Sequence, residues 1–330
     1  MQNKRYPDIH IRSKNELAKR LIGKKLNQEQ ALTLINDVLL NFDKYWKDHP
    51  RLSKPAEEKW VRNASYTNLG KLLKLINLKV LAPYDDMLPN FLFGGIAGRN
   101  HKAAVEHLLG DKRGRVLLKL DISRFYERIS QQRVEQFFGS KVGCSEVSAR
   151  LLARLSCVPF GAKVEPAEHN TLARGFATSS RLAVWCNLDT FVRLERLVQK
   201  ELRGKDPRIS IYVDDIGITA SRVTKEDMMR LYTKVQGILA TDAKQPLPLN
   251  VKKTKIVFHD GRTFDIDGNY LGKWSFEILG IQMRRTTLVP GARTRWKIAD
   301  VLHKVKISRS LKLKKTKKAL AQYKSYIERP

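Results

Sequence analysis

Cysteine is scarce. The chain holds three in 330 residues, Cys144, Cys157 and Cys186. Their number is odd, their spacing is wide, and no CxxC or Cys/His cluster accompanies them, which argues against a disulfide framework and against structural zinc. Long uncharged apolar runs are also missing, so no bilayer-spanning helix is expected. The opening MQNKRYPDIHIRSK carries no apolar signal region. Internal repeats and low-complexity linkers are absent too. These absences leave a reduced, cytoplasmic protein as the expectation. Acidic residues are the other shortage: 33 against 63 lysines and arginines, a formal net charge of +30.

A surface this basic repels itself unless a polyanion neutralises it, and nucleic acid is the first candidate. An anionic membrane is the second, but the basic residues run along the whole chain rather than along one amphipathic helix, so no membrane partner is expected. Charge alone predicts only stickiness, and a function needs a site.

Hydrophobic periodicity predicts mixed helix and strand without regular βαβ alternation, an α+β fold. Residues 13–50 read as two helices. Ser13 and Glu16 have capping-box spacing, Gly23 ends the first helix, and Leu32, Ile35, Leu39, Phe42 and Trp46 line the second up to Pro50. Residues 51–67 read as loop. Gly94, Gly95 and Gly98 mark a turn before a short helix through His107, without the GK[ST] of a P-loop. VLLKLDISRFY gives a strand over 116–122, and a long helix is expected over 177–202. ISIYVDDIGITAS gives strand, 225–240 helix, and KTKIVF and FEILGIQM short strands, joined by the turn-rich GRTFDIDGNYLG. From Gly291 onward there are 13 Lys/Arg and two acids, with amphipathic helical spacing.

Three carboxylates stand out because strands avoid aspartate and interiors avoid unpaired charge. Asp121 closes one apolar strand, and Asp214 and Asp215 interrupt another. A lone aspartate is ordinarily a helix cap or a turn residue, and Asp-Asp fits a hairpin tip between IYV and IGITA. If the strand of Asp121 lies beside that hairpin, all three converge. Like charges this close ionise together only around a cation. All-oxygen ligands favour Mg²⁺, and two such ions about 4 Å apart serve phosphoryl transfer.

At this point the sequence resembles the bacterial reverse transcriptase family, in its retron-like or phage-defence-associated branch. The resemblance covers roughly residues 75–290 through motifs in order: LKLDISRFY, LARGFATSS, IYVDD, LNVKKTKIVF and FEILGIQM. It implies a right-hand polymerase with fingers, an antiparallel-sheet palm and a helical thumb. The corresponding boundaries are an N-terminal helical extension over 1–70, fingers over 71–115, palm over 116–285 and basic thumb over 286–330. It implies an RNA-directed DNA polymerase using two Mg²⁺ ions, with Mn²⁺ as a substitute. Asp121, Asp214, Asp215 and the carbonyl of Ile122 would hold the metal. Tyr126 would be the sugar gate, Lys253 would act near the triphosphate, and Gly175 would allow close backbone approach to nucleotide and template. Leu279 and Gly280 would form the primer-supporting turn.

The second motif departs from the family, which usually has glutamine-glycine and then serine-proline where this chain has Arg174-Gly175 and Ser179-Ser180. The arginine adds charge where an amide usually sits. The asparagine-alanine-x-x-histidine motif of retron enzymes is replaced by Ala103-Ala104-Val105-Glu106-His107, and their valine-threonine-glycine triplet is missing. A divergent retron-like or other defence enzyme therefore fits better than a typical retron.

The implied partners are an RNA template or structured non-coding RNA, a DNA product, dNTPs and an effector protein of unspecified kind. Arg99, Lys102, Lys112, Arg113 and Arg115 are candidates for phosphate contacts, as are Lys314, Lys315, Lys317 and Lys318 in the C-terminal basic segment. Ordinary solvated charge is the competing reading for each. Two other functions suit the same residues: an RNA-binding scaffold with little polymerase activity, and an RNA-templated RNA polymerase.

Overall fold

The computed structural model describes residues 5–241, 246–284 and 287–307. It is an α+β protein of two compact units, each assembled from separate stretches of chain. The first comprises Met1–Asn100, Ile122–Leu194 and Gln236–Pro248, and the second His101–Asp121, Glu195–Val235 and Leu249–Pro330. Among the described residues no helix is long and apolar enough to cross a membrane.

The second unit is built on an antiparallel sheet. Its strands lie in the order Tyr270–Lys273, Arg262–Phe264, Lys255–Phe258, Arg115–Asp121, Asp215–Ser221 and Arg208–Tyr212. In antiparallel pairing, directly opposed residues share a face. Leu118 is opposite both Ile218 and Ile256, and Ile209 is opposite Ile218. All four are buried, as are Leu120, Ile211 and Ile216 on the same face. The other face carries Arg115, Leu117, Lys119 and Asp121 in alternation. Leu117 is covered by Val105, Leu108, Phe276, Ile278, Ile281 and Met283. Burial on both faces explains why Val116, Leu117 and Leu118 are apolar in succession instead of alternating with polar residues.

That cover needs Gly217. A Cβ there would come within 2.7 Å of Leu108 Cδ1 and 2.9 Å of Ile278 Cδ1. The bare glycine lets both side chains settle on the sheet. Ile278 belongs to a small antiparallel sheet of Glu277–Ile278, Ile281–Arg284 and Thr287–Pro290. FEILGIQM is therefore a hairpin, the form that the resemblance implies. Leu279 and Gly280, at φ 54° and 73°, form its turn, with both central residues left-handed as a type I′ turn requires. The Gly280 carbonyl accepts from Gly291 N at 2.8 Å and from Thr294 Oγ1 at 2.9 Å, tying the turn to the helix Ala292–Ile307.

The first unit opens with the helices Lys14–Leu21 and Gln28–Asn41. Ser13 caps the first helix through Glu16 N, but the Glu16 carboxylate accepts from Arg12 N instead of closing a capping box. Asn27 and Gln30 do close one, at 2.8 and 3.1 Å. The second helix stops at Asn41, and a 3₁₀ turn over Phe42–Lys44 follows, so Trp46 lies beyond it. The expected 177–202 helix is divided at Asn187 into Ser179–Cys186 and Leu188–Glu201. Its side-chain amide donates back to Ala183 O at 2.8 Å, the local competition with the backbone that makes asparagine a poor interior helix residue. The strands Cys157–Ala162 and Glu165–Leu172 form a hairpin that the sequence reading missed. The second of them is largely exposed and lacks apolar alternation.

Candidate active site

Asp121 and Asp215 are directly opposed in the ladder, one ending its strand and the other beginning its own. Asp214 sits in the two-residue turn between Tyr212 and Asp215, which close the hairpin. Val213 precedes it at φ 60° and is 6% exposed. Only the first turn residue is left-handed, the sign pattern of a type II′ turn, where glycine is the usual occupant. A β-branched residue there costs on the order of 1–3 kcal/mol of backbone strain. The hairpin is thus observed, and it brings the paired aspartates beside Asp121.

Lys253 completes the group, and Asn250 positions it. Asn250 N donates to the Asp121 carbonyl at 2.8 Å, and the Asn250 side chain caps the 3₁₀ turn Val251–Lys253 by accepting from Lys253 N. Lys253 Nζ then returns to Asp121 Oδ1 at 2.9 Å. Backbone and side chain of one aspartate therefore fix the lysine at both ends. Asn250 escaped the sequence reading, although an asparagine three residues before the lysine is a recognisable cap.

The electrostatics follow from this crowding. Burial first, then repulsion by Asp214 and Asp121, pushes the Asp215 carboxyl up to about 6, against the attraction of Lys119 and Lys253. Burial also raises Tyr212, helped by Asp215. At Lys253 burial disfavours the ammonium, but its hydrogen bond to Asp121 and the attraction of Asp121, Asp215 and Asp214 outweigh burial and raise its pKa.

Among the described residues, no group of three or more His, Cys, Asp or Glu side chains is arranged so that it could hold a metal ion. The donor chemistry nevertheless fits a hard divalent cation. The donors are carboxylates, one of them raised to about 6 by burial and then by its acidic neighbours, and a bound cation would relieve that repulsion.

Ile122, Tyr126, Arg174 and Gly175 fall in the first unit. Ile122 is buried. Tyr126 is also buried, with its hydroxyl 2.9 Å from Ser180 Oγ and its ring edge-on to Phe125. Arg174 does not add a loose charge. Its Nε and Nη2 each donate to a Glu127 carboxylate oxygen at 2.9 Å, and its guanidinium lies 4.7 Å above the Tyr126 ring. Glu127 was not found from sequence, since nothing local signals a partner 47 residues away. Gly175, at φ 101°, admits no side chain: a Cβ would lie 2.5 Å from the Arg62 carbonyl.

The proposed phosphate contacts fare differently. Arg99 directs its guanidinium to the carbonyls of Leu88, Pro89 and Leu92. Lys102 pairs with Glu106 at 3.6 Å. Arg115 is buried, pairs with Asp206 at 2.6 Å and donates to Thr219 Oγ1, so it braces the fold instead of facing a ligand. Lys112 and Arg113 are exposed. Lys314, Lys315, Lys317 and Lys318 lie outside the described residues.

No protein-family model matches the chain, and no curated protein sequence shows significant similarity to it.

Proposed function

We propose that the protein is an RNA-directed DNA polymerase working by two-metal nucleotidyl transfer. The observation that carries this reading is the opposition of Asp121 and Asp215 across one ladder, with Asp214 at the adjoining tip and Lys253 tied to Asp121. Asp121, Asp214, Asp215 and the Ile122 carbonyl would hold Mg²⁺. When bound, the metal would lower the pKa of an attacking hydroxyl and offset charge on the leaving pyrophosphate. The carboxylates fix its position from a rigid sheet. The Lys253 ammonium, kept charged by its acidic neighbours, would give a proton to the departing pyrophosphate oxygen.

On the same reading Tyr126 favours deoxynucleotides by crowding a 2′-hydroxyl. Its bond to Ser180 and the Arg174 guanidinium over its ring hold the side chain in one orientation. The sheet is the palm, the helix from Ala292 begins the thumb, and the template is a structured non-coding RNA in a cytoplasmic anti-phage system. The test is metal-dependent dNTP incorporation on an RNA template. Asp214→Asn should abolish it with the fold intact, and activity surviving that substitution sinks the assignment.

A further inference from the structure

The strand that ends at Asp121 begins at Arg115, and a strand of this length spans roughly 20 Å. At the Arg115 end the second unit holds a cavity of about 640 Å³, within the range of small-ligand sites. Its apolar wall includes Leu108, Leu109, Phe276 and Met283, and the Gly110–Gly114 turn contributes Lys112 and Arg113. A second cavity of about 570 Å³ shares His259, Phe276 and Met283 with the first and adds Trp274, Gln282 and Arg284. The two form one trough along the end of the sheet away from the aspartates.

The composition of this trough is selective. Its acids are already neutralised: Asp111 pairs with Arg208 at 2.8 Å and Asp260 with Arg262 at 2.7 Å. Arg113 and Arg284 have no ion-pair partner among the described residues and are exposed. Trp274 is 52% exposed, with its Nε1 donating to the Leu271 carbonyl at 3.1 Å and Lys255 Nζ 5.7 Å from its ring centre. Aromatic rings beside exposed cations suit stacked bases strung on a phosphate backbone.

We propose that this trough binds single-stranded nucleic acid. Bases stack on Trp274 and beside His259, while phosphates meet Arg113, Lys112 and Arg284. The site is separate from the carboxylate group and needs neither metal nor nucleotide.

The test uses the full chain in EDTA without nucleotides, so failure of the polymerase reading leaves the outcome untouched. The probe is a fluorescent single strand of about 12 nucleotides, within known site sizes, with 4-thiouridine for cross-linking; binding of a ribose or deoxyribose strand supports the site equally. Arg113→Glu and Trp274→Ala, both at exposed positions, should each weaken binding about tenfold without shifting Tm. Cross-links should fall on residues 259–284. Wild-type affinity in both variants, cross-links confined to residues after 291, or equal affinity for an abasic strand would each overturn the proposal.

Discussion

Lys253 Nζ stands 2.9 Å from Asp121 Oδ1, and the turn that presents the lysine is itself hung from the Asp121 carbonyl through Asn250. The contact pairs the Lys253 ammonium with Asp121, and Asp215 and Asp214 attract it from farther off. Lys253 is half exposed, so the pair adds less than about 1 kcal/mol to stability. Lys253→Met should therefore leave Tm nearly unchanged in EDTA. Incorporation of dNTPs should fall by about 100-fold or more, the scale of a lost general acid. Activity equal to wild type would remove Lys253 from the chemistry.

The raised Asp215 carboxyl gives a pH signature. A carboxylate lifted from its ordinary value to about 6 binds a proton more readily folded than unfolded. Its contribution is therefore fully present below pH 4 and is lost as pH rises from about 4 through 6. Relative to Asp215→Asn, the metal-free protein should lose about 1–3 kcal/mol across that window. Mg²⁺ competes with the proton, so its stabilisation should be small at pH 5 and full by pH 7.5. Calorimetry of both proteins with and without Mg²⁺ checks the sign. A Mg²⁺ effect that Asp215→Asn preserves would move the metal elsewhere.

Arg174 and Glu127 form a forked pair with Glu127 only 8% exposed. Removing the cation strands a buried charge, at about 3–5 kcal/mol for a fully buried pair and less here, because Arg174 is partly exposed. Arg174→Gln, which restores the residue usual in the resembled family, should lower stability by about 2 kcal/mol. Adding Glu127→Gln should recover most of it. A chemical-denaturation cycle over the four proteins gives the coupling directly. The comparison also separates structural from nucleotide-handling roles for this departure.

Asp206 tests the brace at the other end of the central strand. Burial opposes its ionisation, but backbone bonds from Lys112 and Asp111 and the Arg115 guanidinium prevail and hold its carboxyl below the ordinary range. A depressed carboxyl stabilises above its unfolded pKa, and that stability is lost as pH falls through the lower folded value. Asp206→Asn should be destabilised near pH 7 and lose less than wild type between pH 5 and pH 2, as followed by circular dichroism.

Much of the carboxylate group was legible because its signals are local. An aspartate interrupting a branched apolar run violates strand preference, and the violation is visible within a few residues. The Asp214-Asp215 hairpin and the strand ending at Asp121 could be read this way, and the register sets Asp121 opposite Asp215. What escaped depends on distant partners or on weak patterning. Glu127 meets Arg174 across 47 residues, and Asp206 meets Arg115 across 91. The exposed strand Glu165–Leu172 has no alternation to betray it. Asn187 looked like one more residue in a helical stripe, until its side chain bonded back to Ala183 and ended the turn.

Val213 offers a last consequence. A hairpin selected for easy folding would place glycine at this left-handed position, and Val213→Gly should relax it. Yet the valine side chain is embedded, and it anchors the tip from which Asp214 projects. The chain has exchanged ease of turning for stiffness: the carboxylate stands on a nailed-down bracket instead of a swivel. Such a mounting would hold its aim through repeated cycles of charge arriving and leaving.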